Sequence, residues 1–270
     1  MTAGTVAALY RYPVKSMLGE PVAEIAVGPL GVAGDRRFAL LDEETGRVAT
    51  AKHPRRWRQL LQCRSATASD GVRVTLPDGR SLDASDADEE LSALLGRRVR
   101  MAGERPEGAE VERPDPVDVL AEGVDAEVDY AILEIAQGTP GGAFVDHSPV
   151  HLITTATLDA IGVGAAEAIR YRPNVVVRTP EGYPPFSEND WPGREITLGE
   201  VRLRATLPTP RCSVPTLEHG ALGRAPGAVR PLLEHRVEVP GFGVLPCAGV
   251  YAEVVAGGTV RAGDEVRVGE

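Results

Sequence analysis

Along much of the chain apolar and polar residues alternate one by one, the period of a strand with one buried face. Val72, Val74 and Leu76 alternate up to an Asp78-Gly79 turn, which predicts a hairpin over 71–85. Ile196 and Leu198, and then, past Gly199-Glu200, Val201, Leu203, Ala205 and Leu207, predict another over 194–207. Short apolar stretches at 5–9 and 22–27 have β character, and 34–50 reads as two strands around a turn at 44–46. Residues 171–179 form a strand entered through Pro173, and 249–269 close the chain with two more. Helical spacing is rarer. In 86–96, Leu91, Leu94 and Leu95 share a face, Asp86 can cap, Glu89 follows three residues later and Gly96 stops the helix. Residues 149–170 begin as a strand and turn helical near Thr155. A further helix at 222–235 would be kinked by Pro231. The pattern predicts a mainly β chain (α+β), barrel-like rather than doubly wound, with a few short helices.

Composition sharpens this picture. With 30 Gly, 22 Pro and only 4% aromatics, turns and short strands are favoured over long helices. The 270 residues suffice for one large or two ordinary domains. The net charge of −10 is concentrated: residues 101–129 hold ten acids against Arg105 and Arg113, supplying −8 of it. That segment reads as a solvated acidic loop, with a partner-docking surface as the other reading. A chain without a basic excess is a poor nucleic-acid binder. Cys63, Cys212 and Cys247 are too few and too irregularly spaced for a disulfide framework. No apolar run reaches about 18–20 residues, and the N-terminus lacks the order of a signal peptide, so the expectation is a cytoplasmic protein.

Several short stretches carry possible chemistry. In "TPRCSVPT" (209–216), Cys212 follows a strand through an irregular proline-rich exit, beside Arg211. A neighbouring cation favours a thiolate, so Cys212 reads as a core residue, a nucleophile or a metal ligand. "YRYPVKSM" offers Lys15 and Ser16 to an oxyanion, without the glycine spacing of a P-loop. "GDRRF" sets Arg36 and Arg37 at a strand start, on opposite faces, and "YRPN" sets Arg172 and Asn174 on one face. The five histidines are scattered, and no HxxxH, CxxC, GxSxG or Walker A occurs, which argues against a structural zinc site and the commonest enzyme classes.

Taken in order, "LYRYPVKSM", "GVAGDRRFALLDEETGRVATAKHPR", "ADEELSALLG", "FVDHSPVHLITTATLDAI", "RYRPNVVV" and "ITLGEVRLRATLPTPRCSVPT" resemble the MOSC family, and its amidoxime-reducing branch in particular. The resemblance implies an N-terminal β-barrel-like domain (1–120, with the acidic loop 101–129) and a MOSC β-barrel domain (121–270). It implies molybdenum cofactor (Mo-molybdopterin), with Cys212 as the metal ligand. Lys15, Ser16, Arg36, Thr154, Thr155, Arg172, Asn174 and Arg211 would be its cofactor contacts. Asp146 in "FVDHSP" would be the acidic residue near the substrate, relaying protons. The implied activity is reduction of N-hydroxylated or N-oxygenated small molecules by oxygen-atom removal. A separate electron donor, a ferredoxin or flavoprotein, would serve it; the charge balance and the lack of a long apolar run, not the resemblance, set the expectation of no nucleic-acid and no membrane partner. A different class of function, a sulfur carrier or cofactor-binding protein with a persulfide on Cys212, uses the same residues.

Overall fold

The structure is a computed structural model that describes residues 1–69, 71–137, 139 and 141–269. Seven strands, numbered here in chain order, close a barrel: β1 (Thr2–Arg11), β2 (Val150–Thr154), β3 (Val175–Arg178), β4 (Glu195–Leu198), β5 (Val201–Pro210), β6 (Gly243–Ala256) and β7 (Glu265–Val268). Their order is β2-β3-β1-β7-β4-β5-β6, and pairing of Val150 with Ala252 returns β6 to β2. Only β2 and β3 run parallel, joined by the helix Thr155–Ile161. Parallel neighbours need such a crossover, and the helix covers their outer face. That explains why β2 is buried throughout instead of alternating: Leu152 points into the barrel with Val6, Val177, Leu203 and Val266, while Ile153 packs outward against Leu158 and Leu232.

A second body packs on the barrel. The pair Ala39–Asp42 with Val99–Ala102, the three-stranded sheet of 64–68, 71–75 and 81–83, and the helix Ala87–Leu95 surround one core of Val14, Met17, Leu40, Trp57, Leu60, Val74 and Leu91. Sheet pairing crosses the expected boundary at 120. β1 lies between β3 and β7, and Ile25 pairs with Val260 on the strand Gly258–Arg261.

Several local expectations need correction. The second half of 34–50 forms a single bridge, Leu41 to Val48, because Ala39–Asp42 takes Val99–Ala102 as its partner. Asp86 makes no side-chain cap; a 3₁₀ turn over Ala84–Asp86 leads into the helix instead, and Asp88 accepts from the Met101 N–H. Pro231 sits in the first turn of a short helix, Arg230–Glu234, where its missing N–H costs nothing, so there is no kink. The acidic segment is no loop. Glu110–Pro114 pairs with Tyr130–Glu134, and the helix Pro116–Glu122 lies between, started by Asp115 accepting from the Val117 N–H. Its charge is partly neutralised within the fold, since buried Glu112 pairs with Arg47 and Arg56. No helix among the described residues is long and apolar enough to cross a membrane.

Candidate functional site

Three tight turns aim side chains into one cleft between the two bodies. Ser16, Arg36 and Arg172 all have left-handed backbone (φ 65°, 47° and 54°), a conformation non-glycine residues adopt at a cost. Arg36 therefore stands in a turn, not at a strand start. The expected split of the two arginines still results, with Arg36 half-buried and Arg37 exposed. Arg172 ends the 3₁₀ helix Ala165–Tyr171, and the reversal there sends it to the cleft while Asn174 turns away.

The two guanidinium groups flank the buried ring of Tyr12, Arg36 at 4.9 Å and Arg172 at 4.4 Å from its centre. Arg36 donates to the Arg172 carbonyl (3.0 Å) and pairs with Asp35. Arg172 donates through Nη1 to the Met17 carbonyl, but its buried Nη2 has no partner. Burial, with Arg36 beside it, lowers Arg172 to about 10. Lys15 Nζ donates to the Phe144 carbonyl (3.0 Å) and to Asp146 (2.5 Å), which also pairs with Lys52 (3.0 Å). Burial, opposed in part by Asp146, pulls Lys15 down to about 8. Burial works against the charge on Asp146, but Lys15 and Lys52 hold its carboxyl well below the usual carboxylate range. The Ser16 hydroxyl accepts from the Ala51 N–H (3.0 Å), so its own proton is free to face the cleft.

Cys212, a free and half-buried thiol, opens onto the same cleft just beyond the end of β5. Arg211 is fixed behind it. Its guanidinium donates to the carbonyls of Tyr171 and Ala248 and to His151 Nε2 (2.5 Å). Burial and then Arg211 hold His151 well below the usual histidine range, so its neutral ring accepts from Arg211 and donates through Nδ1 to the Arg172 carbonyl. Among the described residues lining the cleft are seven lysines and arginines and one carboxylate, Asp146; Asp35 and Glu167 match Arg36 and Arg170 from behind, which still leaves the wall positive. In a chain of net charge −10 this is a built anion site.

Three sequence candidates lie elsewhere. Thr154 is fully buried, caps the helix at Thr157 N–H and donates to buried Glu188. Thr155 bonds Thr179. Asn174 spends both ends of its amide on backbone, accepting from His151 N–H and donating to the Tyr10 carbonyl, and so ties β1 to β2.

The MOSC N-terminal beta barrel domain matches residues 3–110 and the MOSC domain matches residues 141–267. The chain belongs to the MOSC family. It is 24% identical to mitochondrial amidoxime-reducing component 1 of Mus musculus, over 97% of this chain and 82% of that protein. It is 26% identical to mitochondrial amidoxime reducing component 2 of Macaca fascicularis, over 97% and 83%. Among solved structures it is similar to the YUAD protein from Bacillus subtilis, with a TM-score of 0.45 and 12% identity over 99% of this chain and 96% of that one. In this MOSC chain the cleft also draws on Lys52, Arg113, His151 and Tyr251, which sequence reasoning missed. Lys52 lies inside the block "GVAGDRRFALLDEETGRVATAKHPR" but carried by itself only the signal of an isolated lysine between an alanine and a histidine. Tyr251 looked like any other core position of a strand.

Proposed function

We propose that this chain is a molybdenum-cofactor-dependent oxidoreductase that reduces N-hydroxylated or N-oxygenated small molecules by removing oxygen. The observation that carries the reading is a half-buried thiol, Cys212, opening onto a cleft of seven cations with one buried guanidinium nitrogen left unpaired. Among the described residues no group of three or more His, Cys, Asp or Glu is placed to hold a metal ion. A metal bound here must bring its other ligands, and a soft thiolate beside an anion site suits one carried on a phosphorylated, sulfur-bearing cofactor. The molybdenum cofactor fits that donor set. The name of the relatives, amidoxime-reducing component, supports the reaction class.

In this reading Cys212 is the protein's ligand to the metal. Lys15, Ser16, Arg36 and Arg172 hold the anionic and ring portions of the cofactor. Arg211 positions the turn that presents Cys212, Asn174 ties β1 to β2 beneath the site, and Thr154 and Thr155 fix the start of the helix that follows β2. When bound, the cofactor supplies a metal that takes oxygen from the substrate and passes on two electrons. A separate donor, a ferredoxin or a flavoprotein, renews those electrons. Two protons must also arrive for the oxygen to leave as water. Asp146 is held ionised and has no proton to give at neutral pH. Lys15 has one, loosened by burial and oriented by Asp146. Proton delivery is therefore assigned to Lys15, with Asp146 as its positioning residue.

The test is the molybdenum and pterin content of the chain purified from a host that makes the cofactor, beside Cys212→Ala. Near-stoichiometric molybdenum in the wild type, lost in the variant, is the expected result. Labile sulfur on Cys212 with no molybdenum would overturn it in favour of sulfur transfer.

A further inference from the structure

A second cleft adjoins the cationic one. The two share a wall of Lys52, Arg113, Asp146, Pro210 and Tyr251, and Pro210 stands two residues before Cys212. Beyond that wall the chemistry changes. Outside the shared wall the outer cleft is lined by Val111, Leu133, Ile135, Leu207 and Phe242, with Glu134, Gln137 and His147 as its polar residues. Leu133 and Phe242 are large apolar side chains left 39% and 45% exposed, which normally costs free energy unless something covers them. They come from different places: Leu133 from the hairpin strand Tyr130–Glu134, Phe242 from the turn between Arg236–Val239 and β6. Phe242 is held at that tip by Gly241 and Gly243, both at positive φ (80° and 82°).

Three rings run from the rim to the shared wall. Phe242 meets His147 edge-on at 5.8 Å, and His147 stacks on Tyr251 at 5.9 Å. Burial holds His147 below its ordinary range, so the middle ring is neutral at pH 7. Asp146 in the shared wall is already matched by Lys15 and Lys52, and the other two charged residues of the cleft, Arg113 and Glu134, are of opposite sign, so the lining does not call for a charged occupant. The cavity measures ≈ 100 Å³. An enclosed apolar cavity of roughly 150 Å³ takes one benzene ring, so a space of this size that is also open on one side has room for a single ring.

We infer that the outer cleft seats an uncharged aromatic ring of the substrate, with Phe242 and Leu133 selecting the ring and the shared wall passing its N-oxygenated end to the inner cleft. This rests on the reductase reading for what the ring carries; the ring seat itself rests on the geometry. Edge and face contacts with an aromatic wall favour an aryl over an alkyl group of similar polarity.

The experiment compares benzamidoxime with acetamidoxime, the same functional group on a phenyl and a methyl. The cofactor-loaded protein is used as wild type, Phe242→Ala and Phe242→Tyr. Turnover with a viologen reductant and benzamidoxime binding by calorimetry are both measured. The wild type should prefer benzamidoxime, and Phe242→Ala should lower the aryl-over-alkyl ratio of kcat/KM about tenfold, mainly through KM. Phe242→Tyr should keep the ratio. Binding should weaken in Phe242→Ala by a similar factor. A wild type that turns over both substrates, with a ratio unmoved by Phe242→Ala, overturns the ring seat and leaves the reductase reading standing. Binding that depends on Phe242 without any turnover keeps the ring seat and overturns the reductase reading. Neither binding nor turnover overturns both.

Discussion

Lys15 gives the sharpest energetic test, because its burial and its proposed role make the same demand. The Lys15 side chain is 5% exposed, and its affinity for a proton falls from the ordinary 10.5 to about 8. The folded chain therefore releases this proton before the unfolded chain does. Between about 8 and 10.5 the unfolded state binds more protons, so stability gains with rising pH across that window. Below about 8 Lys15 is protonated in both states and the full penalty applies. The size of that penalty is about 3 kcal/mol, taking ~1.4 kcal/mol for each pH unit of difference. Lys15→Met removes the titration and keeps most of the buried chain. Asp146 is not orphaned, because Lys52 stays at 3.0 Å. Urea unfolding of the cofactor-free proteins, followed from neutral pH to 10.5, should show wild-type stability rising relative to Lys15→Met by about 3 kcal/mol. Other lysines and tyrosines titrate in both proteins and drop out of the difference. Parallel curves would refute the buried, weakened ammonium, and with it the assignment of proton delivery. The matching expectation for turnover is a rate that falls at alkaline pH as Lys15 loses its proton, at a higher pH than in the cofactor-free site because the bound anion favours the ammonium.

Two further substitutions separate ligand contacts from structural ones. Arg172→Lys removes the unpaired Nη2 and the forked geometry, so molybdenum retained after dialysis should fall about tenfold or more, with cofactor-free stability changed little. Unchanged retention would remove Arg172 from the cofactor site. Asn174→Ala strands a buried N–H at His151 and should cost about 1–3 kcal/mol in urea unfolding. Its folded fraction should still bind molybdenum at the wild-type ratio; loss of binding without loss of stability would restore Asn174 as a ligand contact.

The contrast between Asn174 and Lys52 shows where sequence reasoning ends. Alternation and turn residues were enough for the hairpins at 71–83 and 195–210 and for the helix ended by Gly96, because these elements depend on neighbours only a few residues away. The family blocks placed Lys15, Ser16, Arg36, Arg172 and Cys212 among the candidates, and the structure brings all five to one cleft. Segments whose partners lie far along the chain read poorly. The acidic segment looked like a loop because its strand pairs with one some twenty residues on, and because Glu112 finds its cations at Arg47 and Arg56.

Side-chain direction was harder still. A two-residue spacing in "YRPN" implies a shared face only if both residues are extended, and Arg172 is left-handed. The proton balance of Lys15 with Asp146 depends on a contact across 131 residues. By itself the sequence determined the strand-rich class, the local turns and the chemical types available, since local sterics and periodicity carry that information. Barrel closure, the use of β1 by the distant half of the chain, the crowding of cations around Cys212 and the aromatic cleft beside it were decided only by the tertiary structure. They depend on long-range pairing and burial, which no window of neighbouring residues encodes.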